Sequence, residues 1–248
     1  MHFHLPKPLH GWREFAGEVG IIVVGVLIAL GAEQLVEEWR WHERVRMSLD
    51  SLSEQMQFDY FNAAEIVVTQ PCVDAQLEQI ERALSQPAAS WRPLPAYDDE
   101  GFNHYVVRQP MRPWQDDVWQ SMNDEGVASH LDRSLRQGIA RFYSNMAGAV
   151  AYQSETSKLN FQLSALSQPL APTPEARFQL IKDIEELRGN YHLMKLIGNQ
   201  LLGQVAASGI GKPTSTASDM ANSGTVVFCR AHHLPLGKLE PVMPGHIQ

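Results

Sequence analysis

The chain has 248 residues, which at roughly 150 per domain allows one or two domains. Twenty Lys and Arg against 28 Asp and Glu give a net charge of −8, the wrong sign for a protein built to grip phosphate backbone, so no nucleic acid is expected as a partner. A 44% hydrophobic content excludes a disordered chain, and two Cys exclude both a disulfide-stapled mini-fold and a four-Cys zinc site.

The first element is apolar. Val19 to Ala32 is a run of fourteen uncharged residues. Extended to Phe15 and Val36 it reaches about 20 residues, the length that crosses ~30 Å of hydrocarbon. The spacing therefore predicts a transmembrane helix over 15–36, with the lipid bilayer as its surroundings and a short head over 1–14. Glu18 lies one turn inside the span. It is either an intramembrane carboxylate with a function or an interfacial residue marking the helix end. A cleaved signal peptide is the rival reading, with Lys7 and Arg13 as its basic region and Ala29-Leu-Gly31 as a cleavage site. Glu18 interrupts the start of that run, and helix-favouring sequence follows it. Trp39 and Trp41 come next, at positions suited to an interfacial belt. Ala16 and Gly20 are four apart, as are Gly25 and Ala29. Small residues at this spacing let membrane helices pack closely, against a partner or a second copy.

Beyond Glu33 the apolar residues Leu35, Trp39, Val45, Leu49, Leu52, Met56, Tyr60, Ala63 and Val67 keep helical steps, with no Gly or Pro from 33 to 69. One helix from about Phe15 to Val68 is expected, ended by Thr69-Gln-Pro71, with a shorter helix over Cys72–Leu84. Gln86 to Trp114 is broken by five prolines yet carries Trp91, Tyr97, Phe102, His104, Tyr105 and Trp114. It reads as an ordered loop covering the domain, with a short strand at Tyr105-Val-Val. A binding lid made of Trp91, Tyr97, Phe102, Tyr105 and Trp114 is the sharper alternative. Trp114 to Asp124 is expected to be helical and closed by Gly126.

A long helix follows over His130–Ser167. Another starts at Thr173-Pro174 and carries Phe178, Ile181, Ile184, Leu187, Tyr191, Met194, Ile197, Leu201 and Val205 on one stripe. Three long amphipathic helices argue an all-α bundle over 37–211. The remainder, 212–248, reads as a loop-rich extended tail docked on the bundle, with an edge strand at Thr225-Val-Val-Phe228.

Chemistry is hard to find. Gly209-Ile-Gly211-Lys212 has two glycines of a phosphate loop but follows a helix. Cys229, His232, His233 and His246 have ligand chemistry at close spacing without a structured fourth ligand, so no metal or other cofactor is expected. Asp116 and Asp117 are adjacent on a helix, diverge by about 100° and read as solvated surface. Arg188, Asn190, Tyr191 and His192 are indistinguishable from an ordinary helix face. Nothing in the chain argues for an enzyme.

The stretch Gly11-Trp-Arg-Glu-Phe-Ala-Gly-Glu-Val-Gly-Ile-Ile-Val-Val-Gly-Val-Leu-Ile-Ala-Leu-Gly-Ala-Glu-Gln34 resembles the head of a family of uncharacterised single-pass membrane proteins of Gram-negative bacteria. The close likeness covers Pro6 to about Glu37, and beyond it only Trp119 to Gly126 and the helices after it look similar. The resemblance implies an uncleaved inner-membrane anchor, and the family has no assigned activity to carry over. Lys7 and Arg13 before the span, against Arg40, Arg44 and Arg46 after it, leave the orientation near a tie. The cysteines tip it. Cys72 and Cys229 are the only two, an even count suited to an oxidising compartment, so a disulfide between them is expected. The amino terminus is then cytoplasmic and the bundle periplasmic. The expected function is a non-enzymatic inner-membrane protein binding a membrane protein partner or serving as an accessory subunit. The alternatives are a periplasmic sensor or small-molecule-binding module, or a secreted helical protein.

Overall fold

A computed structural model of the chain describes residues 12–98, 104–211 and 220–239. It is all-α apart from one two-residue ladder, and it divides into two compact units, 1–48 and 49–248. The dominant element is α1, Trp12–Leu84, a single helix of 73 residues. In the first unit it carries the apolar stretch predicted to cross a bilayer. Among the described residues there, Ile21, Ile22, Leu27 and Ile28 are exposed by 62–76%. One helix is thus long and apolar enough to span a membrane, and its apolar surface has no protein cover.

The expected break at Pro71 does not occur. Pro71 sits inside α1, although a proline there removes the N–H that would bond the carbonyl four residues back and crowds that carbonyl. The carbonyl thereby deprived is that of Val67, and the tail comes in one residue further on: the Gly237 N–H donates to the Val68 carbonyl at 2.8 Å. A side chain at 237 would press on backbone, since a Cβ there would stand 3.2 Å from the Val67 oxygen and 3.4 Å from that of Val68. Glycine at 237 lets the tail approach the defect and supply a donor.

In the second unit α1 is the central element. Asn62 to Gln70 are buried at every position, so this stretch is surrounded on all its faces. Two long helices flank it: α3, Arg133–Leu163, and α4, Pro174–Ser208. Their common core joins Ile66, Val73, Leu77 and Ile80 of α1 to Leu159 and Leu163 of α3 and to Ile184, Leu187, Tyr191 and Met194 of α4. Helix α4 runs antiparallel to α1, with Arg188 on Glu81 (2.8 Å), His192 on Asp74 (3.1 Å) and Lys195 on Gln70 (2.9 Å). Close approach comes at Gly198, where a Cβ would meet the Ala63 carbonyl oxygen at 3.2 Å.

Local signals account for the helix ends. Asp132 accepts from the Ser134 and Leu135 N–H groups at the start of α3, and Thr173 accepts from the Ala176 N–H ahead of Pro174. Gly209 closes α4 in the left-handed conformation. The shorter α2 spans Asp117–Asp124, and Gly126 follows it with a φ of 77°. It begins three residues later than Trp114, because the irregular segment before it is tied to α1 by the bonds of Pro113 with Asn62 and of Gln115 with Asp59.

Two further expectations need correction. Thr225–Phe228 is not an edge strand but part of α5, Gly224–Ala231. Ser223 caps it by accepting from the Val226 N–H, and burial of Val226 and Cys229, one turn apart, outweighs the strand preference of the β-branched run. The strand at Tyr105-Val-Val stops at Tyr105: β1, Tyr97–Asp98, pairs antiparallel with β2, His104–Tyr105, while Val106 and Val107 turn into the core.

Candidate functional site

A helix buried all round must bury its polar side chains too, and each then needs a partner. Gln55, Asp59, Asn62, Glu65, Thr69 and Gln76 recur along α1 at steps of three, four and seven and are all buried. Their partners come chiefly from an irregular strap, residues 107–115, lying between α1 and α3. The strap has no regular ladder of its own, so side chains stand in for one. Gln76 accepts from the Arg108 N–H (2.7 Å) and donates to the Arg108 carbonyl (3.0 Å). Asn62 donates to the Pro113 carbonyl (2.9 Å), and Asp59 accepts from the Gln115 N–H (3.1 Å). From α3, Asn160 donates to the Val107 carbonyl (2.8 Å) and Gln153 to that of Arg112 (2.9 Å). The strap is laced on both sides.

Glu65 is the hub. Its carboxylate takes the Arg112 guanidinium at 2.8 Å and the Ser223 hydroxyl, so one buried charge ties the strap and the cap of α5 to α1. Asp59 is different. It is fully buried, one carboxylate oxygen takes the Gln115 N–H, and the other has no partner. Burial, then the nearby Asp116 and Asp117 carboxylates, push its pKa up to about 7, against the pull of the Gln115 N–H. The surroundings of Asp59 include Gln55, which donates to Asp117 and accepts from the Tyr143 hydroxyl (3.0 Å), and the Trp119 ring stacked on Tyr143.

The residues singled out from the sequence are dispersed. Cys72 and Cys229 are bonded, with Cα atoms 6.0 Å apart, though Cys72 lies inside α1 and does not open a new helix. Ala16, Gly20, Gly25 and Ala29 are exposed on α1, and by helical geometry the two pairs lie on nearly opposite faces. Exposed Glu18 shares the face of Gly25 and Ala29.

The loop aromatics do not converge on one cavity. Trp91 joins the core and donates its indole N–H to the Gln168 carbonyl (3.2 Å), whereas Trp114 donates to Gln153 (2.6 Å). Tyr97 packs edge-on against Phe228 of α5 at 4.6 Å, and Tyr105 is its ladder partner. Phe102 and His246 lie outside the described residues.

Asp116 and Asp117 are exposed as expected, yet they act on the buried Asp59. Arg188 forms an ion pair with Glu81 of α1, His192 lies 3.1 Å from Asp74 of α1, and Tyr191 is in the core, so these three line no common pocket. Phe178 and Ile181 were assigned to the core stripe of α4, but they face outward with Leu193 and Leu196. Among the described residues no three His, Cys, Asp or Glu side chains are grouped as a metal would require.

The polar seam escaped a reading that followed apolar residues. The signal was nonetheless present, as polar side chains at 55, 59, 62, 65, 69 and 76 share the helical period of the apolar stripe beside them. No family model, curated protein or solved structure matches the chain.

Proposed function

We propose that the chain is a non-enzymatic single-pass protein of the bacterial inner membrane, related to the uncharacterised family that its first residues resemble. In this reading its amino terminus is cytoplasmic, and its helical domain binds a partner protein or serves as an accessory subunit of a membrane complex in the periplasm. The observation that carries the reading is the uncovered apolar part of α1, whose exposed Ile, Leu and Val side chains are costly in water and at home in lipid. The Cys72–Cys229 bond supports an oxidising compartment. Exposed Phe161, Leu170, Phe178, Leu193 and Leu196 give the bundle apolar surface for a partner.

The test uses the full chain in a Gram-negative host. The protein should pellet with membranes and resist alkaline carbonate, and its two thiols should be blocked to maleimide after denaturation without reductant. Crosslinking in cells with mass spectrometry should return one stoichiometric protein partner. Recovery in the carbonate supernatant would sink the anchor. Two reactive thiols would sink the periplasmic orientation, and a lone protein retaining a small molecule would replace the partner by a ligand.

A further inference from the structure

We propose that Asp59 is a proton-operated latch: protonated, it holds the 113–117 segment and α2 against α1, and ionised, it releases them. The geometry has three parts. Asp59 is fully buried on α1 and touches the strap through the Gln115 N–H, immediately before the two acidic residues that open α2. Among the described residues its second oxygen has no partner, so the protonated acid has a hydroxyl to offer and the carboxylate has an unsatisfied lone pair at a buried position. Asp116 and Asp117 stand close enough to act on it electrostatically, so ionisation places a third negative charge in a low-dielectric seam.

The groups around Asp59 offer no compensation. From the strap and α2 it faces Asp116 and Asp117. Asp116 is engaged with Gln120 (2.6 Å) and Asp117 with Gln55. From α3 it faces Tyr143, whose hydroxyl donates to Gln55. Between the contacts of Gly198 with Ala63 and of Gly211 with Met56, α4 presents the buried apolar side chains Leu201, Leu202 and Val205. The strap guanidinium at Arg112 is bound to Glu65. Among the described residues, no cation contributes to the acidity of Asp59, which titrates near neutrality. A periplasm that follows external pH would swing it across this range.

Release has a defined extent. The bonds at Gln115 and between Gln55 and Asp117 are those that ionisation strains, whereas Gln76 with Arg108 and Asn160 with Val107 lie farther up the strap. The strap opens from its α2 end, uncovers Gln55 and Asn62, and parts Trp119 of α2 from Tyr143 of α3. This inference concerns the fold's response to protons and stands whether or not the protein is membrane-anchored.

The test is hydrogen exchange by mass spectrometry on the full chain in detergent micelles from pH 5.5 to 8.5, with exposure times corrected for intrinsic exchange rates. Protection of peptides covering 114–124 should fall about tenfold across the range, while peptides from 184–205 stay level. Asp59→Asn should hold the acid-side protection at every pH. Asp116→Asn alters an exposed residue and leaves the buried acid in place, so it serves if the first variant fails to fold. It should lower the midpoint and shrink the change. Level protection in the native chain, an undiminished fall in Asp59→Asn, or an unaltered profile in Asp116→Asn would each overturn the latch.

Discussion

Replacing both cysteines by alanine tests how α5 and the tail are held. The bond between Cys72 and Cys229 spans 157 residues of chain. In the chain-entropy picture a loop of that length removes about 17 cal/mol/K from the unfolded ensemble, or ~5 kcal/mol at 25 °C. Both sulfur sites are fully buried, so the alanines also leave a small void, whereas compactness of the unfolded chain reduces the entropic part. The expected loss is therefore about 3–5 kcal/mol. Helix α5 keeps other attachments, among them Val226 in the core, the Ser223 hydroxyl on Glu65 and the Leu234 N–H on the Cys229 carbonyl. The fold should survive with α5 as its weakest part. Guanidinium unfolding of the full chain in micelles, followed by circular dichroism, should show the midpoint of the double variant lower by roughly 1 M. Hydrogen exchange should show residues 224–231 losing protection first. Coincident unfolding curves would refute the reasoning, as would a lower midpoint with α5 protection intact.

Gly211 has a φ of 72°, and a Cβ there would stand 2.5 Å from that of Met56, so Gly211→Ala should cost about 3 kcal/mol or more in the same assay. Leu187→Ala opens a void at a fully buried position on α4 and should cost about 2–5 kcal/mol, whereas Phe178→Ala, at a 68% exposed residue on the same helix, should stay within ~0.5. The pKa of Asp59 is raised in the folded state, so its contribution to stability is complete below about pH 4 and is lost as pH rises through about 7. The loss amounts to up to ~4 kcal/mol, and a stability–pH curve that keeps its slope in Asp59→Asn would contradict it.

Legibility in the sequence depended on how local the cause was. Helix α4 could be read end to end because Thr173, Pro174 and Gly209 act within a turn of themselves. Gly126 after α2 was equally plain. Pro71 misled because packing of the tail beside it, with the Gly237 N–H on the neighbouring Val68 carbonyl, lets the helix continue, and no local rule connects residue 237 to it. Thr225–Phe228 misled in the same way. Its side chains favour a strand in isolation, and the cap at Ser223 and the attachment of Cys229 to α1 decide otherwise. Phe178 and Ile181 fit the apolar period of α4, yet that helix carries apolar residues on its outer face as well. The polar seam lies at positions of α1 that a helix standing alone would expose to water. Nothing in one helix reveals that Asn62 to Gln70 will be enclosed on all sides. That enclosure requires α3, α4 and the strap to arrive together.

The closure of Val68 by Gly237 sets an order of assembly during synthesis. Helix α1 leaves the ribosome early, and its propensity forms it on both sides of Pro71 before the rest of the bundle exists. Until residue 237 has emerged, the Val68 carbonyl has no Gly237 N–H to take, and Cys72 remains a thiol awaiting residue 229. Until then the nascent domain lacks a hydrogen bond and a disulfide at its centre. A ribosome stalled before that point would present a central helix with a free thiol beside a weakened turn, a state that a disulfide-handling enzyme or a chaperone could tell apart from the finished protein.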